Sequence, residues 1–221
     1  VKEHKFGSLI FFQGDVLETA QLTNRLQEMA EIPLLIGADF EWGPAMRIRR
    51  SMRFPEAMAL GATRDTSLAS RMGRAVAEES RAIGICQDFA PVADVNINPD
   101  NPVINIRSFG EDPGLVAEMA SSFAEGLQSG GVLATAKHFP GHGDTQTDSH
   151  LELPVIGASR GRLDSVELVP FRRLIGRGIP AIMIAHLEVP SIQENEMLPA
   201  TLSRRIVTGL LKEEPGFRGL V

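Results

Sequence analysis

Apolar residues fall into two recurring patterns along the chain. Short, almost uninterrupted apolar runs occur at GSLIFFQG (7–14), IPLLIGADF (32–40), the opening of IGICQDFAPVADV (83–95), GVLATAKHF (131–139), PAIMIAHLEV (180–189) and FRGLV (217–221). Between them lie longer stretches with helical spacing: LETAQLTNRLQEMAE, SLASRMGRAVAEESRAIG, PGLVAEMASSFAEGLQSGG, SRGRLDSVELVPFRRLIGRG and LSRRIVTGLLKEE. A strand that is apolar on both faces belongs in a parallel sheet covered by helices. Regular strand–helix alternation predicts either a doubly wound open sheet or a (β/α)8 barrel. No G-x-G-x-x-G turn follows an early strand, as an open dinucleotide-binding sheet would require.

Polar residues gather where four of the runs end. Asp39 and Glu41 follow PLLIGA, Asp88 and Asp94 follow IGIC, Lys137 and His138 follow VLATA, and His186 and Glu188 follow AIMIA. Barrel active sites are built from the carboxyl ends of several strands. The expected fold is therefore α/β, a (β/α)8 TIM-barrel. A full barrel takes about 250 residues, and five runs are complete here. The expectation is an incomplete barrel, about strands 2 to 6 plus the start of strand 7, with 1–221 as a single partial domain. The first residue is Val1 and the last run has just opened at FRGLV, so the chain is expected to continue on both sides.

Composition narrows the function classes. Hydrophobic residues make up 43% of the 221, enough for a sizeable core. The formal charge is −6 and no long basic run occurs, which argues against a nucleic-acid partner. No apolar run approaches the roughly 18 residues of a membrane span. The single cysteine, Cys86, leaves no internal disulfide and reads as a small core residue.

The densest chemistry lies in KHFPGHGDTQTDSH (137–150), which holds three of the five histidines. Three readings compete. His138, His142, Asp144, Asp148 and His150 are metal-ligand types, although no H-E-x-x-H or H-x-H spacing is present. Pro140, Gly141 and Gly143 also suit a plain surface loop. In the third reading, Asp148 and His150 are one residue apart and share a face of an extended segment. The carboxylate would then fix the imidazole tautomer and raise its pKa, making an acid/base.

KHFPGHGDTQTDSH resembles the signature of the β-N-acetylglucosaminidases of glycoside hydrolase family 3. GSLIFFQG, PLLIGADFEWG (the family's D-x-E-G-G segment), DFAPVADVNINPDNPVINIRSFGEDP (ending in R-S-F-G) and PAIMIAHLEVP resemble further family segments, so the likeness covers almost the whole chain. It implies a retaining hydrolase that removes terminal β-linked N-acetylglucosamine, from cell-wall muropeptides in many bacteria. The implied partner is a carbohydrate, and no cofactor is implied. By the same resemblance His150 and Asp148 are the acid/base dyad, and Lys137, His138, Arg107 and Asp39 bind the sugar. Trp42, which replaces the first glycine of E-G-G, is either a stacking platform or packing at the barrel mouth. Glu41 is read as structural, and His142 and Asp144 as shaping the loop. The family's nucleophile is an aspartate in a G-L-V-x-x-D segment, which would fall about three residues past Val221. A non-catalytic sugar-binding module and a metal-dependent barrel hydrolase are the alternatives.

Overall fold

A computed structural model describes residues 4–146, 153–194 and 198–221. Its main sheet has five strands in the order β1-β3-β5-β6-β7. These are β1 (Ser8–Phe11), β3 (Leu35–Ala38), β5 (Gln87–Asp88), β6 (Leu133–Phe139) and β7 (Ala181–Ile184), and every pairing is parallel. Leu220 makes a parallel bridge to Ala181, so FRGLV takes the next place beside β7. The alternation of strands with helices is that of a (β/α)8 barrel wall, as the apolar runs predict. Two-residue strands β2 (Gly14–Asp15) and β4 (Ile48–Arg49) form a separate parallel pair that the apolar pattern does not announce.

The helices form where their caps dictate. Asp15, Asp65 and Asp112 accept backbone N–H bonds at the starts of α1 (Val16–Met29), α3 (Thr66–Ala82) and α4 (Pro113–Ser129), which fills otherwise orphaned donors. A short helix, α2 (Ala57–Thr63), interrupts what reads as one long loop. Helices α3 and α4 approach closely at Gly73 and Gly126. A Cβ at Gly73 would sit 2.2 Å from the Phe123 carbonyl oxygen, and one at Gly126 2.2 Å from that of Ser70.

The stretch 159–178, expected as one helix, is two: α5 (Arg160–Ser165) and α6 (Leu168–Gly176). Pro170 has no N–H to return to Val166, so the chain restarts at Leu168 and places the proline in a first turn. α7 (Pro190–Gln193) and a π-helix (Arg205–Glu213) follow, and short 3-10 turns lie at Pro44–Met46, Asn105–Arg107 and Ala200–Leu202. No helix among the described residues is long and apolar enough to cross a membrane.

The third strand is shorter than its apolar run. Only Gln87 and Asp88 pair regularly with both neighbours. Pro91 lacks an N–H, so beyond it the ladder continues only in part: Thr135 donates to the Ala90 carbonyl, Lys137 to that of Pro91, and Ala93 to that of Lys137. This irregular continuation carries the chain past the end of the sheet and delivers Asp94 next to the end of β6.

Candidate active site

Strand ends bring six polar side chains together. Asp39 and Glu41 leave β3, Asp94 follows β5, Lys137 and His138 stand in β6, and Arg107 closes a 3-10 turn (Asn105–Arg107). Lys137 is 2% exposed. Its Nζ donates to Asp39 Oδ1 at 2.7 Å and lies 2.6 Å from Glu41 Oε1. Arg107 grips Glu41 with two parallel bonds, Nε to Oε2 at 2.9 Å and Nη2 to Oε1 at 2.7 Å. Arg47 donates to Asp39 Oδ2 at 3.0 Å. The Lys137–His138 and Phe139–Pro140 bonds are cis.

These contacts set the charges. Burial pushes the Glu41 carboxyl up, but Lys137 and Arg107 outweigh it and hold it well below the usual carboxylate range. Burial also raises Asp39, and Lys137 followed by Arg47 brings it below its ordinary value. Both are carboxylates at neutral pH. Glu41, expected to be structural, is the hub on which Lys137 and Arg107 converge.

Asp94 organises the other half. It is 0% exposed and accepts from His138 Nδ1 at 2.7 Å and from the His142 backbone N–H at 2.6 Å. Burial raises its carboxyl and His138 outweighs that, so it stays ionised. An ionised acceptor requires His138 Nδ1 to carry the proton. Burial depresses the His138 pKa despite Asp94, so the ring is neutral and its Nε2 is an acceptor. Arg107 Nη2 lies 3.4 Å from that nitrogen. Asp94→Asn would present an amide N–H or a weaker oxygen to Nδ1, favouring the other tautomer and placing an Nε2–H against Arg107. The ring proton should move from Nδ1 to Nε2 of His138. Nitrogen-15 shifts of the labelled histidine would check it, and an unchanged tautomer would reject the argument.

Asn101 ties the Arg107 turn to the KHFPGHGDT segment. Its Oδ1 accepts from Val103 and Ile104, and its Nδ2 donates to the His142 carbonyl at 2.8 Å and to Thr145 Oγ1 at 3.2 Å. At Gly143 an added Cβ would sit 1.8 Å from the Val95 carbonyl oxygen, so only glycine fits this approach. Arg162 spans Asp144 at 3.2 Å and Glu167 at 3.1 Å, which anchors the loop from the α5 side.

Of the residues singled out in the sequence, Asp39, Arg107, Lys137 and His138 meet in one cluster. Trp42 is half-buried and packs against the core, and Arg53 lies 4.8 Å above its ring. Asp148 and His150 lie outside the described residues. His186 is exposed and bonded to Thr201, and Glu188 pairs through its backbone with 154 and 156, so neither joins the cluster. Among the described residues, no three His, Cys, Asp or Glu side chains are grouped to hold a metal ion. Asp94 was placed among the strand-end residues but given no role, and Arg47 and Asn101 were missed by sequence reasoning. The only local hint was the density of Asn and Asp in DVNINPDNP.

The model of the glycosyl hydrolase family 3 N-terminal domain matches residues 1–221. A β-hexosaminidase A from Pseudoalteromonas piscicida is 37% identical over 243 residues, covering 100% of this chain and 41% of that protein. A solved glycoside hydrolase family 3 β-N-acetylglucosaminidase from Paenibacillus sp. str. FPU-7 superposes with a TM-score of 0.95 at 42% identity, over 99% of this chain and 43% of that one. A structure of the β-glucoside phosphorylase BglX gives the same TM-score, 0.95, at 30% identity, over 99% of this chain and 41% of that one. The chain thus spans about two fifths of the length of these proteins.

Proposed function

Because the chain belongs to glycosyl hydrolase family 3, we propose that it forms one barrel unit of a retaining glycosidase releasing terminal β-linked N-acetylglucosamine. Muropeptides or chito-oligosaccharides would be the substrates. The observation that carries this reading is the Lys137 cluster. Two carboxylates, two guanidinium groups and a buried ammonium converge at the strand ends with their geometry already fixed. Asp39 keeps lone pairs for vicinal hydroxyls. Two of the three Lys137 N–H donors are engaged by Asp39 and Glu41, leaving one for a hydroxyl. Arg107 and His138 Nε2 complete the sugar-binding side. A sugar stacking on Trp42 would share the ring with Arg53 or displace it.

In the proposed mechanism His150, oriented by Asp148, gives its proton to the glycosidic oxygen as a nucleophile attacks the anomeric carbon. The aglycone leaves as an alcohol and a glycosyl-enzyme forms. His150, now neutral, takes a proton from the attacking water, and the sugar is released with retention. Retaining glycosidases ordinarily use two carboxylates. A neutral base beside an anionic nucleophile avoids their mutual repulsion. None of the residues named here is assigned as that nucleophile.

The test is an assay of the protein expressed to the stop codon of its gene, on aryl β-N-acetylglucosaminide and aryl β-glucoside. Release of N-acetylglucosamine supports the reading, and an inert N-acetylglucosaminide overturns it. The fold agreement with a β-glucoside phosphorylase favours a second reading, transfer to phosphate. Sugar phosphate formed only when inorganic phosphate is present would select it.

A further inference from the structure

We propose that Asp88 is a positioning residue for the sugar-binding cluster, holding the Phe40 backbone so that Asp39 and Glu41 flank Lys137. The proposal rests on the functional reading above for its kinetic consequences, but not for its geometry. Asp88 is the last residue of β5 and stands in register with Ala38, the last residue of β3. Phe89 N–H donates to the Ala38 carbonyl at 2.9 Å, and regular pairing between the two strands then stops. Phe40 comes next but one and is 0% exposed. Its N–H would be a buried orphan, which folded proteins avoid. Asp88 Oδ1 accepts it at 2.9 Å, so a side chain extends the ladder past the end of the sheet.

That bond fixes the middle of a three-residue segment. Side chains at i and i+2 of an extended segment share a face, and the one between them points away. Phe40 is fully buried in the core, while Asp39 and Glu41 both reach the Lys137 ammonium, at 2.7 and 2.6 Å. If the Phe40 N–H were released, the segment could rotate and carry both carboxylates off the lysine.

The same carboxyl is otherwise unpaired. Asp88 is 0% exposed and its Oδ2 has no hydrogen-bond partner. The charged groups acting on it are Lys137 from β6 and Asp39 and Glu41 from the segment after β3. Burial pushes it up to about 7, against the pull of the Phe40 N–H and Lys137. Below that pH it accepts the Phe40 bond as a neutral acid and adds no third negative charge beneath Asp39 and Glu41. The folded state therefore binds this proton more tightly than the unfolded chain. Its stabilising effect is full below the ordinary aspartate range and is lost as pH rises through about 7.

Two substitutions in the full-length protein separate the two properties. Asp88→Asn keeps an acceptor oxygen but cannot ionise. It should hold KM within about threefold of wild type, while its fall in Tm between pH 5.5 and 8.5 shrinks by about 5 °C or more. Asp88→Leu removes the acceptor and should raise KM for the aryl N-acetylglucosaminide about tenfold, with kcat changed less. An unchanged KM in Asp88→Leu overturns the proposal, as does an Asp88→Asn enzyme with KM raised tenfold. If Asp88→Leu does not fold, the Asp88→Asn kinetics and melts decide alone: a pH dependence of Tm identical to wild type rejects the neutral-acid role. A wild-type protein inert towards the N-acetylglucosaminide would sink the functional reading instead, and the melts would still judge Asp88.

Discussion

Lys137→Met is expected to lower the stability of the fold by about 3–5 kcal/mol, the usual cost of removing one partner from a buried ion pair. The lysine is 2% exposed and within hydrogen-bond reach of both Asp39 and Glu41. Methionine fills a similar volume, so the loss is electrostatic rather than a cavity. Glu41 retains its two-bond grip from Arg107, and Asp39 retains Arg47. These remaining cations place the effect nearer the lower end of the range. For a domain of this size it corresponds to a drop in Tm of about 6–12 °C.

The pH dependence gives the same argument a second, independent reading. Glu41 titrates below its ordinary value because Lys137 and Arg107 outweigh its burial. A depressed carboxylate contributes stability that is present above the unfolded pKa and lost as pH falls through the folded one. Removing Lys137 takes away the largest downward influence on Glu41, so its folded pKa rises. The stability that wild type loses on acidification below the ordinary glutamate range should therefore be larger than that lost by Lys137→Met, so the two should converge as pH falls. Thermal melts between pH 2 and 7 would show the gap closing, and a variant melting within a degree or two of wild type at pH 7 would remove the lysine from its central place.

The parts of the molecule that were legible in the sequence share a physical cause. β6 is buried on both faces, so it writes itself as an apolar run close to its observed span, whereas β7 takes up only the first half of its run. α3 and α4 begin at Asp caps that stand just outside the periodic stretch. What escaped was decided by single residues. Pro91 keeps the third strand from running on regularly along β6, and Pro170 splits one amphipathic stretch into two helices. The two-residue strands β2 and β4 are too short to impose any periodicity.

The site divides in the same way. Asp39, Lys137, His138 and Arg107 were recognisable because each sits in a quotable segment at the end of an apolar run or an R-S-F-G turn. Asp94 pairs with a histidine 44 positions away, and Asp88 with a backbone N–H 48 positions away. No local spacing encodes either partner. Glu41 was read as structural, and its partners, a lysine and an arginine brought from elsewhere in the chain, are likewise written in no local spacing.

His150→Ala should cut kcat/KM by about 10²- to 10⁴-fold on a substrate with a poor leaving group, the range typical of losing a general acid. The size of the loss should track the leaving group. A phenolate with strongly withdrawing substituents departs without a proton, so its glycosylation step has little need of the imidazole. An alkoxide of a second sugar cannot depart without one. Hydrolysis of the glycosyl-enzyme still needs a base to activate water, so kcat should fall even on the activated substrate once deglycosylation limits turnover, while kcat/KM, which reports the first step, is nearly spared. In that case KM falls together with kcat, the mark of an accumulating intermediate. Asp148→Asn should give a milder version of the same split, because it leaves the imidazole in place but removes the charge proposed to raise its basicity. Azide in the assay supplies a nucleophile that needs no base, and it should restore turnover of His150→Ala on the activated substrate with glycosyl azide as product. Equal losses on both leaving groups, or no loss on either, would mean that the proton comes from another residue.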